Sequence, residues 1–460
     1  MKVFRDDVSS DEQLFLLPPS VGEFVPAHSR VRVVSEVVDT LDLEKFYSFY
    51  QGGGAPAFDP RVMVKIWLLA LMLGERRSRR IAELLTYDTR FMFVAKMARP
   101  DFRTLCRFRK IHAAGIQDLF VEVVRLCQTA GMVLLEDAAL DGTKIEANVS
   151  RKQTYKGERL DKTLAGLEER IAKIMAEAEA LDAADDAANT PTEEERIPKE
   201  LRDLKRRKER LEEAKRELER TGRSAVAATD TESRVNKTTN GRRPSYNGQA
   251  MVDGSYQVIV AAAVTQDEKD HAQLPPLLDQ TIENTGCMPG RLLADTGYQS
   301  DASLKALEER GIEGYVKQEP VREGEFKKSC TYDEERDLYK APDGTELGFA
   351  GTKQVRGVPY KVYRTKDRKK EMIFRQDDGR LQRMRARLET EEGKAIYRLR
   401  QQIVEPVFGH LKEPLGLRRL LLRGLAGATN EFLFSCTAHN MYKLVRFMSA
   451  NRAQPTNAPV

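Results

Sequence analysis

Two short apolar runs, each delivering an aspartate, constrain this chain most. Ala-Ala-Leu leads into Asp141, and Arg-Leu-Leu-Ala leads into Asp295. Runs of this kind read as strands, and a strand end holds a carboxylate rigidly. A third acidic residue, Glu405, lies in a helical stretch, Gln-Gln-Ile-Val-Glu-Pro-Val-Phe-Gly-His-Leu-Lys. A helix packed beside a sheet can supply a third carboxylate. Hard cations such as Mg²⁺ take carboxylate oxygens. Two such ions about 3.5–4 Å apart clamp the attacking and leaving oxygens of a phosphoryl transfer. Each acid also has an ordinary reading: a turn residue before Gly142, a cap before Thr296-Gly297, and a structural Glu before Pro406.

Charge distribution says more than the net charge of +5. Residues 76–110 hold eleven Lys/Arg against three Asp/Glu, and residues 394–423 hold seven against two. Basic patches of this kind suit a phosphate backbone. The longest uninterrupted apolar run, Ile66 to Leu73, is far too short to span a bilayer. The first residues carry no apolar signal region. Cys106, Cys127, Cys287, Cys330 and Cys436 show no paired spacing. That pattern argues for a reducing compartment and against a zinc ribbon. His28, His112, His271, His410 and His439 show no ligand spacing either.

Along the chain, residues 1–135 read as mostly helical, with helices over Ser35–Tyr50, Pro60–Leu73, Arg76–Leu85 and Asp101–Ile111. Small helical units with a basic face are the usual form of a helix-turn-helix-like reader of DNA. Arg103, Arg107 and Arg109 are its candidate DNA contacts. Met132 to Asn148 reads as two strands, with Asp141 in the second. Leu160, Leu164, Leu167, Ile171 and Ile174 step by four and three, and Ile197, Leu201, Leu204, Leu211 and Leu218 follow suit. These are two heptad seams, broken at 176–190 and read as an antiparallel hairpin. Thr192 and Glu195 form a capping box for its second helix. Arg234, Lys237, Arg242 and Arg243 fall in a Gly/Pro/Asn-containing loop placed to track a DNA backbone. Asp253-Gly254 is a hairpin turn, Leu274–Asn284 a helix capped by Asp270, and Asp301–Arg310 another helix. Residues 321–380 read as a β-rich insertion, and Phe432 to Met448 as an apolar closing helix.

The acidic segments resemble the catalytic motifs of the DDE transposases of bacterial insertion sequences. The match is to the superfamily with a Tyr-Arg-Glu-Lys signature around its catalytic Glu. Asp-Gly-Thr-Lys-Ile-Glu-Ala-Asn at 141–148, Asp-Thr-Gly-Tyr at 295–298, and Glu405 followed by Lys412 carry it. The signature is displaced here. Gln401 stands at the family's Arg position, whereas Tyr397 and Arg400 keep its Tyr–Arg spacing one residue early. On a helix turning about 100° per residue, Arg398, Glu405 and Lys412 share a stripe and Arg400 points about 140° from Glu405. Arg398 and Arg400 thus both stand as candidates for the Arg.

The resemblance implies an α/β fold: an RNase H-like catalytic core with a mixed sheet, an N-terminal helical DNA-binding domain, a coiled-coil hairpin insertion and a β-rich insertion. The expected boundaries are 1–130 for the DNA-binding domain and 131–450 for the catalytic domain. The latter is interrupted at 158–220 by the hairpin and at 321–380 by the β-rich segment. Residues 451–460 form a disordered tail. The implied activity is binding the element's ends, cutting them, and joining their 3′-hydroxyls to target DNA. Asp141, Asp295 and Glu405 would hold two Mg²⁺ ions, for which Mn²⁺ could substitute. Lys412 and one of Arg398 or Arg400 would touch phosphates, while Tyr298 and Tyr397 are candidates to support the site or stack on DNA. The expected partners are double-stranded DNA (terminal inverted repeats and target) and a second copy of the chain. The expected location is the bacterial cytoplasm, at the nucleoid when DNA-bound, with no membrane contact. Family members often carry Cys pairs in the second insertion. Only Cys330 stands there, so no structural zinc is expected. A non-catalytic DNA-binding derivative and a metal-dependent nuclease without strand joining are the rival readings.

Overall fold

The computed structural model describes residues 20–50, 56–187, 199–318, 330–333, 336–355, 358–365, 367, 371–375 and 380–453. It is a mixed α/β structure that divides into two compact units. One comprises residues 1–127, 145–235 and 409–460; the other comprises 128–144 and 236–408. The expected tail at 451–460 and the capping box at Thr192 lie largely or wholly outside the described residues.

The sheet-bearing unit follows from its strands. They are β1 (Asp137–Glu146), β4 (Arg234–Thr238), β5 (Gly241–Asp253), β6 (Ile259–Thr265), β7 (Arg291–Ala294) and β8 (Glu313–Val316). The short pair β2 (Thr154–Tyr155) and β3 (Val226–Ala227) stands apart from this sheet. The order is β4-β5-β1-β7-β8, with β6 also on β5. β1, β7 and β8 run parallel, while β5 and β6 form an antiparallel hairpin. Leu292, Leu293 and Ala294 are all buried, as expected of a central parallel strand covered on both faces. The 132–148 segment makes one strand, not two. Leu135, at φ 55°, and its neighbour Leu134 donate their N–H groups to Asp253, which ends the preceding run before β1 begins. The β1–β7 register is pinned by Arg291, which grips Asp137 at 2.6 and 2.8 Å. Helix Leu274–Thr285 packs on β5 and β6, and helix Asp301–Glu309 on β8. Strands β9 (Thr331–Asp333), β10 (Leu338–Lys340), β11 (Glu346–Val355), β12 (Val358–Arg364) and β13 (Glu371–Arg375) make a separate antiparallel sheet around Leu347, Tyr363 and Met372. Helix Arg380–Glu389 follows, and then helix Glu391–Lys412, which runs through Pro406.

The other unit is mainly helical and carries the β2–β3 pair. The expected helix from Ser35 to Tyr50 is two: Arg30–Thr40, capped by Ser29, and Glu44–Tyr47, whose first N–H is taken by Asp42. Helix Pro60–Met72 starts on Asp59 with Pro60 in its first turn, where a missing N–H costs nothing. It is buried almost all round, and it packs against Arg30–Thr40 and the closing helix Gly424–Ala453. Short helices Ser78–Tyr87, Thr89–Val94 and Phe102–Ile111 follow, and then Ala113–Thr129. Helices Gly157–Ala187 and Lys199–Thr221 lie antiparallel, with ion pairs Asp161–Lys215, Glu168–Lys208 and Arg170–Glu200. Leu160, Leu164, Leu167, Leu204 and Leu211 fill the seam. The first helix continues through the expected break as far as Ala187, because its Ala-rich sequence costs little in a helix.

Candidate active site

Parallel pairing places the two aspartates. Leu140 on β1 stands opposite Ala294 on β7, so the next residues, Asp141 within β1 and Asp295 just past the end of β7, lie at one level on adjacent strands. Asp295 caps the short turn Thr296–Tyr298 and accepts the Gly297 N–H at 2.8 Å. Asp141 accepts the Gly142 N–H at 2.8 Å and an Arg400 guanidinium N–H at 3.0 Å. Burial pushes the Asp141 carboxyl above its usual range; Arg400 opposes that shift and the Asp295 charge adds to it. The two acids are therefore close enough to feel one another.

A buried polar network lies beneath them. Tyr298 is fully buried and its hydroxyl donates to Gln249 Oε1. Gln249 and Asn247 each donate to Asp270 Oδ1 at 2.6 Å. A Cβ at Gly142 would sit 2.5 Å from Gln249 Nε2, so a larger residue beside Asp141 would displace that amide from Asp270. One glutamine thus braces both aspartate segments. Asp270 is not the cap of the next helix, as expected. Gln273 takes that position without a side-chain bond, and the Asp270 carboxylate turns to the two amides instead. This network was missed in the sequence. Its signal was Asn-Gly-Gln, two amides on one face of the apolar run that leads to the Asp253-Gly254 turn.

Helix Glu391–Lys412 presents Arg400 and Tyr397 to the aspartates. The Arg400 guanidinium lies 6.0 Å from the Tyr397 ring centre, and Asp141 and Asp295 both act on Tyr397 electrostatically. Arg398, favoured by the helical wheel, is exposed instead. The wheel aligned Arg398 with Glu405, but it is the opposite face that meets Asp141. Glu405 is exposed too, while Ile403, Val404 and Val407 are buried. Among the described residues no group of three or more His, Cys, Asp or Glu side chains is arranged to hold a metal ion. Asp141 and Asp295 offer carboxylate oxygens of the kind a hard cation takes. They are neighbouring like charges, and a guanidinium already offers one of them positive charge.

The candidate DNA contacts separate by exposure. Arg103 and Arg107 are exposed on helix Phe102–Ile111. Arg109 is not available to DNA. It is 3% exposed, lies 4.2 Å over the Trp67 ring and faces Glu431 at 3.5 Å. Two residues beyond Arg107, its side chain turns inward with Leu105 and Phe108. Tyr298 is likewise too buried to stack on a base. Arg242 and Arg243 lie on the first residues of β5 rather than in a loop, Arg242 exposed and Arg243 partly so. Lys412 is the last residue of its helix, within the helical unit. No described helix is long and apolar enough to cross a membrane.

Residues 186–441, more than half of the chain, match the family model described as Transposase DDE domain. Residues 19–111 match one described as Transposase domain (DUF772). The first match contains Asp295, Arg400 and Glu405, whereas Asp141 precedes it. No curated protein matches the chain.

Proposed function

We propose, from the premise that this chain belongs to the transposase DDE domain family, that it cuts the ends of its own DNA element and joins them to target DNA. The observation that carries this reading is the β1–β7 register, which sets Asp141 beside Asp295 with Arg400 on one of them. Its core is read as RNase H-like. Members of the family generally use divalent metal ions. Asp141 and Asp295 would hold Mg²⁺ or Mn²⁺, with Glu405 as a third candidate ligand and two ions as the expected complement. Bound there, such ions would activate the attacking oxygen and stabilise the leaving one.

The chain's own residues do the rest. The aspartates are fixed in direction, because Gly142, Gly297 and the Gln249–Asp270–Tyr298 network leave them little freedom. Arg400 carries a planar set of N–H donors suited to a non-bridging phosphate oxygen. It would exchange Asp141 for that oxygen when DNA enters. In the first step water attacks phosphorus and the P–O3′ bond breaks. In the second the freed 3′-hydroxyl attacks a target phosphate, the target strand's P–O3′ bond breaks to release its 3′-hydroxyl, and no covalent protein intermediate forms. Arg103, Arg107, Arg242, Arg243 and Lys412 supply candidate backbone contacts, and pairing two ends calls for at least two copies of the chain. Target joining, the inverted-repeat substrate and a nucleoid location belong to the same reading.

The test uses the protein with DNA that flanks its coding region, in Mg²⁺. Cleavage followed by joined products supports the reading. Cleavage without joining supports the nuclease, and end binding without cleavage supports the non-catalytic derivative.

A further inference from the structure

Helix Phe102–Ile111 sorts its charges. Arg103, Arg107 and Lys110, spaced by four and three residues, are exposed on one stripe. Three nearby exposed arginines are matched locally, Arg77 by Glu75, Arg80 by Glu83 and Arg90 by Asp88, while Arg79 lies over the Phe102 ring. Arg103, Arg107 and Lys110 form no ion pair among the described residues. Unmatched cations in a row are available to an external polyanion. At about 1.5 Å per residue the stripe spans about 10 Å, or roughly three nucleotide steps of a strand.

At its Lys110 end the helical unit opens into a cavity of about 570 Å³. This lies within the range of about 300–1,000 Å³ usual for ligand pockets. Lys110 and Arg423 supply its cations, Asn148 and Asn430 its amides, and Leu422 and Ala426 part of its apolar wall. Its frame is held from below. Glu431 accepts the N–H groups of Leu421 and Leu422 at 2.8 and 3.0 Å. Asn148 donates to the Leu421 carbonyl at 2.8 Å, Arg423 to the Asn148 carbonyl at 3.2 Å, and Asn430 to the Arg109 carbonyl at 3.2 Å. The amides are therefore oriented before any ligand arrives. Cations, oriented amides and an apolar wall match the phosphate, edge and face of a nucleotide, in that order. A base within a duplex offers only its edge, whereas an unpaired one offers its face as well.

We propose that this cavity seats one unpaired nucleotide at the end of a DNA strand whose backbone runs along Arg103, Arg107 and Lys110. The phosphate sits between Lys110 and Arg423, and the base lies against Leu422 and Ala426. The inference rests on the DNA reading above but not on the carboxylate site.

The test is equilibrium binding by the full-length protein in EDTA, so that no strand is cut. Two duplexes of one arbitrary sequence are compared, one blunt and one with a short 3′ single-stranded tail. The tail should tighten binding about tenfold, as stacking of one base predicts. Ala426→Trp, which fills the cavity, should remove that gain and leave blunt-duplex binding unchanged. Lys110→Ala, at an exposed position, should also reduce the gain, so the test survives a poorly folded tryptophan variant. If neither duplex binds, the DNA reading itself fails. If both bind equally, or both variants keep the gain, this inference alone fails. Tight binding of free deoxynucleoside monophosphate with no gain from a tail would overturn it too, making the cavity a metabolite site.

Discussion

Two charge clusters in this protein mirror one another. In the helical unit one carboxylate, Glu431, serves two guanidiniums, Arg76 at 2.6 Å and Arg109 at 3.5 Å. In the sheet unit one guanidinium, Arg400, lies beside two carboxylates, Asp141 and Asp295. The first cluster is closed. Its side chains are all under a tenth exposed, Arg76 also binds the Gly416 carbonyl, Arg109 lies on Trp67, and Glu431 accepts two backbone N–H groups. The second cluster is open. Asp141 keeps about a fifth of its side-chain surface, and the two acids share one arginine. Buried charge enclosed by opposite charge, carbonyl and ring holds a fold together. Excess negative charge within reach of solvent is a place for a cation or for the displacement of one.

Neutralising the open cluster should have the largest effect. Asp141→Asn and Asp295→Asn should each reduce end cleavage in Mg²⁺ by about a thousandfold or more, equivalent to about 4 kcal/mol, with DNA binding retained. Near-normal cleavage by either variant removes that residue from the site. Glu405→Gln is the sharper question, since Glu405 is exposed and outside the cluster. A cleavage loss of the same size would show that Glu405 joins the aspartates on DNA.

Opening the closed cluster should cost stability instead. Glu431→Ala leaves two buried guanidiniums without their carboxylate and should lower unfolding free energy by about 3–5 kcal/mol. Chemical denaturation reads this directly. A change under about 1 kcal/mol would mean the cluster is not the clamp described. The same contacts bear on the expected 1–130 domain. A fragment ending there loses Glu431 and Phe434, which lies 6.2 Å from Trp67, and should be markedly less stable than the full chain.

The two signature arginines should differ next. Arg400→Ala should slow cleavage about ten- to hundredfold, the worth of a charge-assisted phosphate contact at about 1.5–3 kcal/mol. Arg398→Ala should change it by no more than about threefold, in keeping with a surface position. The reverse order, with both variants folded, would mean that the helix turns on binding DNA.

The smallest effects belong to exposed cations and to pH. Arg103→Ala and Arg107→Ala should each leave stability within about 0.5 kcal/mol and reduce the salt dependence of DNA binding by about 0.9 in log–log slope. Arg109→Ala should do the opposite, destabilising the fold without a direct change in slope. His112 is buried against Phe46, Phe49 and Phe108, and burial lowers its pKa from 6.5 to about 4. Its unfolded form therefore binds a proton first, so stability should fall as pH drops from about 6.5 towards 4. Replacing His112 with Phe should flatten that decline, as denaturation across this pH range would show.

Much of this could be read one segment at a time. The Leu-Leu-Ala run before Asp295 and the turn after Asp253 depend on local pattern and lie where pattern placed them, and the heptad leucines pack together although the first helix runs on to Ala187. Charge identity was equally legible, but charge direction was not. Arg107 and Arg109 are two residues apart on one helix, and only packing against Trp67 and Glu431 decides that one faces water and the other the core. Asp270 read as a cap because a helix follows it. Two amides from β5, more than twenty residues earlier, claimed its carboxylate instead.

The sequence by itself determined which charged and apolar groups are on offer, since carboxylates, arginines and apolar runs are written in it directly. Tertiary structure decided which of them meet. Strand register joins Asp141 to a partner 154 residues away by the same pairing that sets Asp137 on Arg291. The face of helix Glu391–Lys412 turned inward is set by burial of Ile403, Val404 and Val407, and that rotation brings Arg400 to the acids and leaves Arg398 and Glu405 in solvent. Helical periodicity gives relative angles around an axis, but only packing against a neighbour fixes where zero lies.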